Sequence, residues 1–200
     1  MLYINQLDYP NMEYVTRLEI PDADTHTTIA TSGCGLCSAC MIVDQLTTRV
    51  LTLEHARQIS YDTKSNLRYG TSMRTFGPRV AEEFGLEFRA TDSEEELAEH
   101  LRRGGKAILN VRGTVDGKPG LFAKSGHYIV AIGISGSEIC LLDPSYKEEK
   151  YNEPFRKEKV RVSYPFLYTD VENLQGEGSP TVPEGKYIYL FSRKGQTMNP

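Results

Sequence analysis

The stretch from Ser32 to Val43 constrains the fold of this chain more than any other, and it reads Ser-Gly-Cys-Gly-Leu-Cys-Ser-Ala-Cys-Met-Ile-Val. It opens with small residues and continues as a helix-spaced run that is apolar on most sides. Such a pattern is typical of a helix buried at the centre of a domain. We expect Thr31 or Ser32 to cap this helix, because a side-chain hydroxyl accepts hydrogen bonds from the unpaired N–H groups of a first turn.

Cys34 lies at the head of the predicted helix, between Gly33 and Gly35. The free N–H groups and the dipole of a helix N-terminus favour a negative charge, so a thiol placed there loses its proton more easily. The thiolate is the nucleophilic form of cysteine. The two glycines have no side chains that would block a substrate. The sequence therefore predicts a reactive thiol at the exposed head of a buried helix.

The other cysteines leave different interpretations open. Cys37 and Cys40 are expected to pack in the helix core, and Cys34 itself could be a buried structural thiol. The spacing of these three also resembles part of an iron–sulfur or zinc site. A ferredoxin-type run, however, needs a fourth cysteine followed by proline, where Val43-Asp44 stands. The remaining thiol, Cys140, lies in an apolar, strand-like run. We therefore favour a nucleophile and expect neither a metal nor another cofactor.

Length and charge limit the classes of function. Two hundred residues with a formal net charge of −4 suit one large domain or two small ones. No basic run interleaved with aromatic residues indicates a nucleic-acid surface, and no apolar stretch approaches the ~18 residues of a membrane span. The N-terminus carries no secretory signal, and cysteines on consecutive helical turns cannot form a disulfide framework together. We therefore expect a cytoplasmic protein, or a secreted one if the chain has been trimmed.

Apolar periodicity divides the chain into a helical part and a strand-rich part. The predicted elements are helices over 51–63, 73–84 and from 93 to the glycines at 104–105, and strands over 106–112, 127–134, 138–143 and 186–192. The segments 64–72 and 164–185 are expected to be a linker and an irregular surface excursion. Helices first and antiparallel strands second indicate an α+β fold. In it, a single domain over 1–200 packs a helical half, about 1–105, on a sheet half, about 106–200.

A thiol nucleophile needs a base, and His127 is the best candidate among four histidines. It follows a glycine and begins the predicted strand 127–134, so it can project into a cleft from a rigid strand. His26 falls in a loop, and His55 and His100 fall on helices among charged residues, where we expect them to be solvated. The alternative is that His127 is a half-buried histidine that bonds a neighbouring carbonyl group.

Asp143 is the expected partner of that imidazole, because an acid–base histidine is commonly oriented by a carboxylate or amide on its second nitrogen. It ends the strand after the turn at 135–137 and precedes Pro144. Counted from the turn, His127 and Asp143 are eight and six residues away. They are therefore cross-strand or diagonal neighbours at the same end of a hairpin. A plain strand-ending Asp-Pro turn is the alternative.

Four short motifs follow one another along the chain, and they are Gln6, Gly33-Cys34-Gly35, Gly126-His127-Tyr128 and Asp143-Pro144. Together they resemble the papain-like cysteine peptidases. The resemblance is strongest to the bacterial branch related to the double-glycine leader peptidases of bacteriocin exporters. It covers most of the chain, roughly from Tyr3 to the last strand, and implies a papain-like cysteine proteinase fold.

The resemblance also implies roles for individual residues. Cys34 would be the nucleophile, His127 the general base and acid, and Asp143 the residue that orients His127. Gln6 would form an oxyanion hole with the backbone N–H of Cys34. From the residues alone, Gln6 is only a polar surface residue in a short N-terminal strand.

The function implied by the resemblance is a thiol hydrolase that cleaves a peptide or related amide bond through an acyl-enzyme, with a peptide or protein as substrate. Two alternatives share the fold: an acyltransferase that passes the acyl group to an amine or thiol, and an idle domain that only binds peptides. The segments 113–126 and 144–185 are expected to form the walls of the cleft, with their tyrosines lining it. We predict no nucleic-acid partner, no membrane span and no particular oligomeric state.

Overall fold

The residues that the computed structural model describes are 1–16, 27–67, 70–180 and 185–195. Within these ranges the helices are α1 (Ile29–Ser32), α2 (Cys34–Leu46), α3 (Leu53–Asp62), α4 (Met73–Phe84), α5 (Glu94–Arg102), α6 (Glu148–Tyr151) and α7 (Pro154–Lys157), with 3₁₀ turns at Gln6–Asp8 and Val171–Leu174. The strands are β1 (Asn66–Leu67), β2 (Gly70–Thr71), β3 (Leu86–Thr91), β4 (Lys106–Val111), β5 (His127–Ser135), β6 (Glu138–Leu142), β7 (Arg161–Ser163), β8 (Phe166–Asp170) and β9 (Ile188–Arg193). Longer helices precede most of the strands, which confirms the predicted α+β fold.

Local sequence sets the ends of three predicted helices. α3 begins after Thr52, whose hydroxyl accepts the N–H of His55 at 3.2 Å. α5 begins after Ser93, whose hydroxyl accepts the N–H of Glu96 at 3.1 Å. α4 ends at Gly85, whose φ of 69° is a left-handed conformation that favours glycine. These boundaries follow from capping side chains and a glycine stop that are visible in the sequence.

α2 is the buried central helix that the sequence predicts, since its residues from Cys34 to Val43 are all buried. Its predicted cap is wrong. Gly33 precedes the helix and no side chain caps it. Thr31 and Ser32 belong to the separate turn α1, where the hydroxyl of Thr31 accepts the N–H of Thr28 at 2.9 Å. The Thr31 hydroxyl thus acts within α1 and not at the start of α2.

Among the described strands, seven form one antiparallel sheet in the order β3-β9-β4-β5-β6-β8-β7, while β1 and β2 pair separately. The last strand, β9, lies between β3 and β4 and is therefore an interior strand. β3 precedes residue 105 in the chain. The helical half thus contributes one edge of the sheet as well as the helices that cover it.

Alternate residues of the central strands face two hydrophobic cores, one on each side of the sheet. On β4, Ile108 packs in the core that contains α2, α3 and α4, whereas Ala107 and Leu109 pack in the core that contains α5. β9 alternates in the same way, with Tyr189 in the first core and Leu190 in the second. α2 packs across β4 and β5, which places the start of the helix beside the start of β5.

Strands that the sequence did not predict lie in three parts of the chain, which hold β1 with β2, β3 between α4 and α5, and β7 with β8. The expected linker at 64–72 contains the small pair β1 and β2. The expected irregular excursion at 164–185 begins with β8, which lies between β6 and β7 and pairs Tyr168 with Cys140. Gly70 lies in the segment 64–72 and Pro165 directly precedes β8 in the segment 164–185, and strands of two to five residues are too short to show a clear alternation there.

Candidate active site

Cys34 is the first residue of α2, and only 8% of it is exposed. The prediction of an exposed thiol is therefore wrong, because neighbouring elements cover the head of the helix. Gly35 allows their close approach. A Cβ atom at this position would lie 2.9 Å from Cβ of Thr71 and 3.3 Å from the ring of Tyr128. Gly35 thus serves the packing of β2 and β5 against the helix start rather than open access to the thiol.

His127 is the first residue of β5 and is 7% exposed. Its Nε2 atom lies 2.8 Å from Oδ1 of Asp143, and its imidazole faces the thiol of Cys34, with which it interacts electrostatically. Because Nε2 faces the carboxylate, Nδ1 is the nitrogen left for the thiol. The structure thus brings together the three residues that were singled out from the sequence.

The hairpin of β5 and β6 explains how His127 and Asp143 meet. Val130 pairs with Leu142. Continuing this register past the end of β6 places Ser145 opposite His127 and Asp143 on the diagonal, which is within side-chain reach. In agreement with this register, the Oγ atom of Ser145 lies within hydrogen-bond distance, 3.0 Å, of Nε2 of His127.

Asp143 is fully buried, and its two carboxylate oxygens have different partners. Oδ1 faces His127 and accepts the backbone N–H of Ser145 at 2.8 Å. Oδ2 accepts the O–H of Tyr151 at 2.6 Å and forms an ion pair with Nζ of Lys150. Partners on both oxygens compensate the cost of burying this charge and hold the carboxylate in one orientation.

These contacts shift the protonation of the site. Burial acts to raise the pKa of Asp143, but the charges of Lys150 and His127 outweigh it and hold that pKa well below its usual range. Burial acts to lower the pKa of His127, but the charge and hydrogen bond of Asp143 raise it to about 9. For Cys34, burial opposes ionisation, yet the hydrogen bond and charge of His127 bring the pKa below its usual value. The arrangement therefore favours a thiolate beside an imidazolium.

Gln6 lies in the first 3₁₀ turn and is 5% exposed, so the residue-based expectation of a surface residue in a strand is wrong. Its backbone N–H donates to the carbonyl oxygen of Pro144 at 2.6 Å. Its Nε2 atom donates to the carbonyl oxygen of Ala30 at 2.8 Å, in the turn that leads into Cys34. Gln6 therefore joins the segment that carries Cys34 to the segment that carries Asp143.

The other histidines lie away from this site or outside the described residues. His55 is exposed and pairs with Glu83 at 2.8 Å, as a solvated position should. His100 is half-buried instead, and its Nε2 lies 2.9 Å from the carbonyl oxygen of Phe191. The prediction that it is solvated is wrong, because α5 packs on the sheet. His26 lies outside the described residues.

The remaining cysteines are packed in the fold. Cys37 and Cys40 are fully buried in the core around α2, as predicted, and burial raises the pKa of Cys40 to about 12 and that of Cys37 well above its usual value. Cys140 is half-buried on β6. Among the described residues, no group of three or more His, Cys, Asp or Glu side chains could hold a metal ion.

The loop before β5, predicted as one cleft wall at 113–126, is anchored by two charged side chains. Arg156 is fully buried and donates to the carbonyl oxygens of Gly120 and Leu121 at 2.8 Å and 2.7 Å. Glu177 accepts the backbone N–H of Leu121 at 2.7 Å. Since this loop runs directly into β5, these bonds also restrain the first residue of that strand.

Tyrosines surround the Asp143 side of the site. Tyr3 donates its O–H to the carbonyl oxygen of Asp143 at 2.8 Å, and its ring centroid lies 5.7 Å from that of Tyr164. The ring of Tyr146 lies 5.1 Å from Tyr164 and 5.8 Å from Tyr151. Three of these tyrosines belong to the segment 144–185, for which a cleft-lining position remains a prediction. Tyr3 was not expected here.

In addition to Tyr3, sequence reasoning missed Ser145, Lys150 and Tyr151, which contact the side chains of His127 or Asp143. Ser145 could have been found, because the hairpin register places it opposite His127. Lys150 and Tyr151 lie in α6, a single helical turn that returns the chain to the buried carboxylate. No periodic pattern in the sequence indicates that return.

Comparisons with known proteins concern the fold and the family. The model of the Peptidase_C39-like family matches residues 3–169. The peptidase domain of Streptococcus ComA, described as a bifunctional ABC transporter involved in a quorum-sensing pathway, is similar with a TM-score of 0.52 and 13% identity, over 92% of this chain and 100% of that chain. A putative C39-like peptidase from Bacillus anthracis is similar with a TM-score of 0.55 and 12% identity, over 92% and 96%. These likenesses confirm the papain-like α+β fold.

The search of curated proteins found no match to this sequence. In the described part of the chain, no helix is both long enough and apolar enough to cross a membrane.

Proposed function

The chain belongs to the Peptidase_C39-like family, and from this premise we propose that it is a cysteine peptidase that cleaves a peptide bond through an acyl-enzyme on Cys34. The observation that carries the proposal is the position of His127. Its imidazole lies between the thiol of Cys34 and the carboxylate of Asp143, at the head of a buried helix. Nucleophile, base and orienting group follow one another in the order that thiol hydrolysis needs.

In the proposed acylation step, the Cys34 thiolate attacks the carbonyl carbon of the scissile bond, and the carbonyl π electrons move onto the oxygen. The tetrahedral intermediate then collapses, the C–N bond breaks, and the imidazolium of His127 gives its proton to the leaving amine. In deacylation, the neutral imidazole takes a proton from water, and the resulting hydroxide attacks the thioester. The acid product leaves and the Cys34–His127 pair is restored.

Asp143 and Gln6 are proposed to support these steps. Asp143 accepts the Nε2–H of His127, which keeps Nδ1 directed at the thiol. The amide nitrogen of Gln6 carries two hydrogens, of which one serves the carbonyl group of Ala30. The second, together with the backbone N–H of Cys34, is proposed to stabilise the negative oxygen of the tetrahedral intermediate.

The direct test is incubation of a peptide library, including peptides with a Gly-Gly pair, with wild-type protein, Cys34→Ala and Cys140→Ser, followed by mass spectrometry. We expect new peptide ends with wild-type protein and Cys140→Ser, and none with Cys34→Ala. Cys140 is the matched control because it is a thiol of the same domain, half-buried on β6 and outside the site. Cleavage that persists in Cys34→Ala would contradict the proposal.

An added amine separates hydrolysis from acyl transfer. A peptidase leaves a free carboxylate on the new end, whereas an acyltransferase leaves the amine adduct. An idle domain binds peptides equally with and without the thiol and forms neither product.

Site-resolved alkylation tests the candidate site without any substrate. Cys34 is expected to react well below the ordinary thiol pKa of about 8.5, and His127→Ala is expected to abolish that reactivity.

A further inference from the structure

Asp143 is shared between two cationic side chains, His127 on one oxygen and Lys150 on the other. We propose that Lys150 is a positioning residue of the proposed peptidase, which holds Asp143 ionised and oriented and limits how tightly His127 keeps its proton. The inference rests on the proposed function of Cys34 and His127. It adds a residue to which no sequence motif assigns a role.

The ammonium group of Lys150 is held at a built site rather than at the surface. Its Nζ atom forms the ion pair with Oδ2 of Asp143 and lies 3.3 Å from Oγ and 3.4 Å from the carbonyl oxygen of Ser145. It also lies 5.1 Å from the centre of the Tyr151 ring, and the side chain is 15% exposed. A partly desolvated cation with three oxygen partners interacts far more strongly with a carboxylate than a surface lysine does.

The charged groups around Asp143 indicate that Lys150 has both effects: it keeps Asp143 ionised, and it weakens the hold of Asp143 on the proton of His127. The titratable and charged groups that face the carboxylate and the imidazole are Cys34, His127, Lys150, Tyr151, Tyr3 and, through Tyr151, Arg156. Tyr3 reaches only the backbone carbonyl of Asp143, and Tyr151 contributes a neutral hydroxyl. Within the described residues, Lys150 is thus the cation besides His127 that touches this carboxylate.

The two effects belong to different stages of the proposed reaction. When His127 is neutral, Lys150 compensates the buried charge of Asp143, so the carboxylate stays ionised and still accepts the Nε2–H. When His127 is protonated, Lys150 competes with it for the same carboxylate. The imidazolium therefore gives its proton to a leaving amine more readily than it would if it were the sole partner of Asp143.

The test is the pH profile of Cys34 alkylation by iodoacetamide, read at Cys34 by peptide mass spectrometry, in wild-type protein, Lys150→Met and Lys147→Met. Lys147 is the matched control, since it is exposed on the same segment and its removal changes the net charge equally. We expect Lys150→Met to move the basic step of the profile, where the imidazolium loses its proton, upward by roughly one pH unit. Lys147→Met is expected to leave that step in place. An NMR titration of the His127 imidazole should show the same upward shift.

The outcomes separate this inference from the proposed function. A wild-type profile without enhanced reactivity below about pH 8.5 would overturn the proposed peptidase and this inference with it. A normal wild-type profile with an unshifted step in folded Lys150→Met would overturn the role of Lys150 alone, as would an equal shift in Lys147→Met. If Lys150→Met fails to fold, Lys150→Gln and Lys150→Arg replace it. The inference requires the neutral glutamine to shift the step and the cationic arginine to leave it unchanged.

Discussion

The backbone N–H of Gln6 donates to the carbonyl oxygen of Pro144 at 2.6 Å, which joins the first residues of the chain to the end of the hairpin that carries Asp143. Through its side chain, the same residue bonds Ala30 in the turn before Cys34. The backbone bond does not depend on the identity of the side chain. A substitution at position 6 therefore separates what the side chain does at the site from what the backbone does for the fold.

Gln6→Ala is expected to lower kcat for peptide cleavage about 100-fold or more, because removing one oxyanion donor costs about 3 kcal/mol in the barrier. Steady-state kinetics measure kcat, and urea denaturation measures the free energy of unfolding. Asn5→Ala is the control in the same turn, since Asn5 accepts the N–H of Leu7 and donates to the carbonyl group of Tyr146. It is expected to reduce stability and leave kcat within a few-fold of wild type. Equal losses of kcat in both variants would contradict an oxyanion role for Gln6.

Arg156→Met is expected to lower the free energy of unfolding by about 2–4 kcal/mol. The substitution leaves the buried carbonyl groups of Gly120 and Leu121 without their donors, and each such loss costs about 1–3 kcal/mol. Urea denaturation measures the change. Lys157→Met removes the same charge from the exposed face of α7 and is expected to be nearly neutral. If the two variants were equally stable, the hydrogen bonds from Arg156 to the loop before β5 would not stabilise the fold.

The parts of the fold that were predictable are those that a local sequence pattern defines. α4 spans Met73–Phe84 as predicted, because the amphipathic run and the glycine that follows it are both local signals in the sequence. The hairpin of β5 and β6 was predictable because two apolar, strand-like runs flank a short turn. The interior position of β9 was not, because the final strand could have joined the sheet at an edge or between any two strands without changing its own sequence.

The residues of the candidate site that stand at the ends of helices or strands were predictable, whereas the contacts between separate elements were not. Cys34, His127 and Asp143 each stand where a helix or strand begins or ends, so composition and spacing single them out. The burial of Cys34 and the approach of Lys150 to Asp143 depend on contacts between elements that are distant in sequence. Such contacts leave no periodic signal in either partner, and the sequence therefore shows neither.

Gly35→Ala is expected to destabilise the protein by about 1–3 kcal/mol, although alanine is normally favoured in a helix by about 1 kcal/mol. The added Cβ atom would meet Thr71 at 2.9 Å and push β2 and β5 away from the head of α2. Urea denaturation and the rate of Cys34 alkylation measure the effect on fold and site. Gly126→Ala is the control, because a Cβ atom there meets nothing within 4 Å. A destabilisation as large in the control would mean that crowding at Gly35 is not its cause, because loss of a glycine by itself lowers the entropy of the unfolded chain and stabilises the fold.

The Cys34–His127 pair predicts how stability varies with pH. The pKa of His127 is raised to about 9, so its stabilising contribution is complete below the unfolded value of about 6.5 and is lost as the pH rises through about 9. The pKa of Cys34 is lowered, so its contribution is complete above the unfolded value of about 8.5 and is lost as the pH falls through the folded value. At a pH that lies between the folded and the unfolded pKa of both groups, folding takes up a proton at His127 and releases one from Cys34. The free energy of unfolding should therefore change little with pH in that range.

Cys34→Ala removes the proton release and leaves the proton uptake, since Asp143 raises the pKa of His127 more than Cys34 does. Its free energy of unfolding is therefore expected to fall by about 1.4 kcal/mol per pH unit above pH ~6.5, until His127 loses its proton. Urea denaturation of wild-type protein and Cys34→Ala between pH 6 and 9 measures the difference in slope, in which all other titrating groups cancel. The double variant Cys34→Ala/His127→Gln should recover the shallow slope. Parallel slopes in wild-type protein and Cys34→Ala would mean that Cys34 remains a thiol in this range, and no ion pair would then be available for nucleophilic attack.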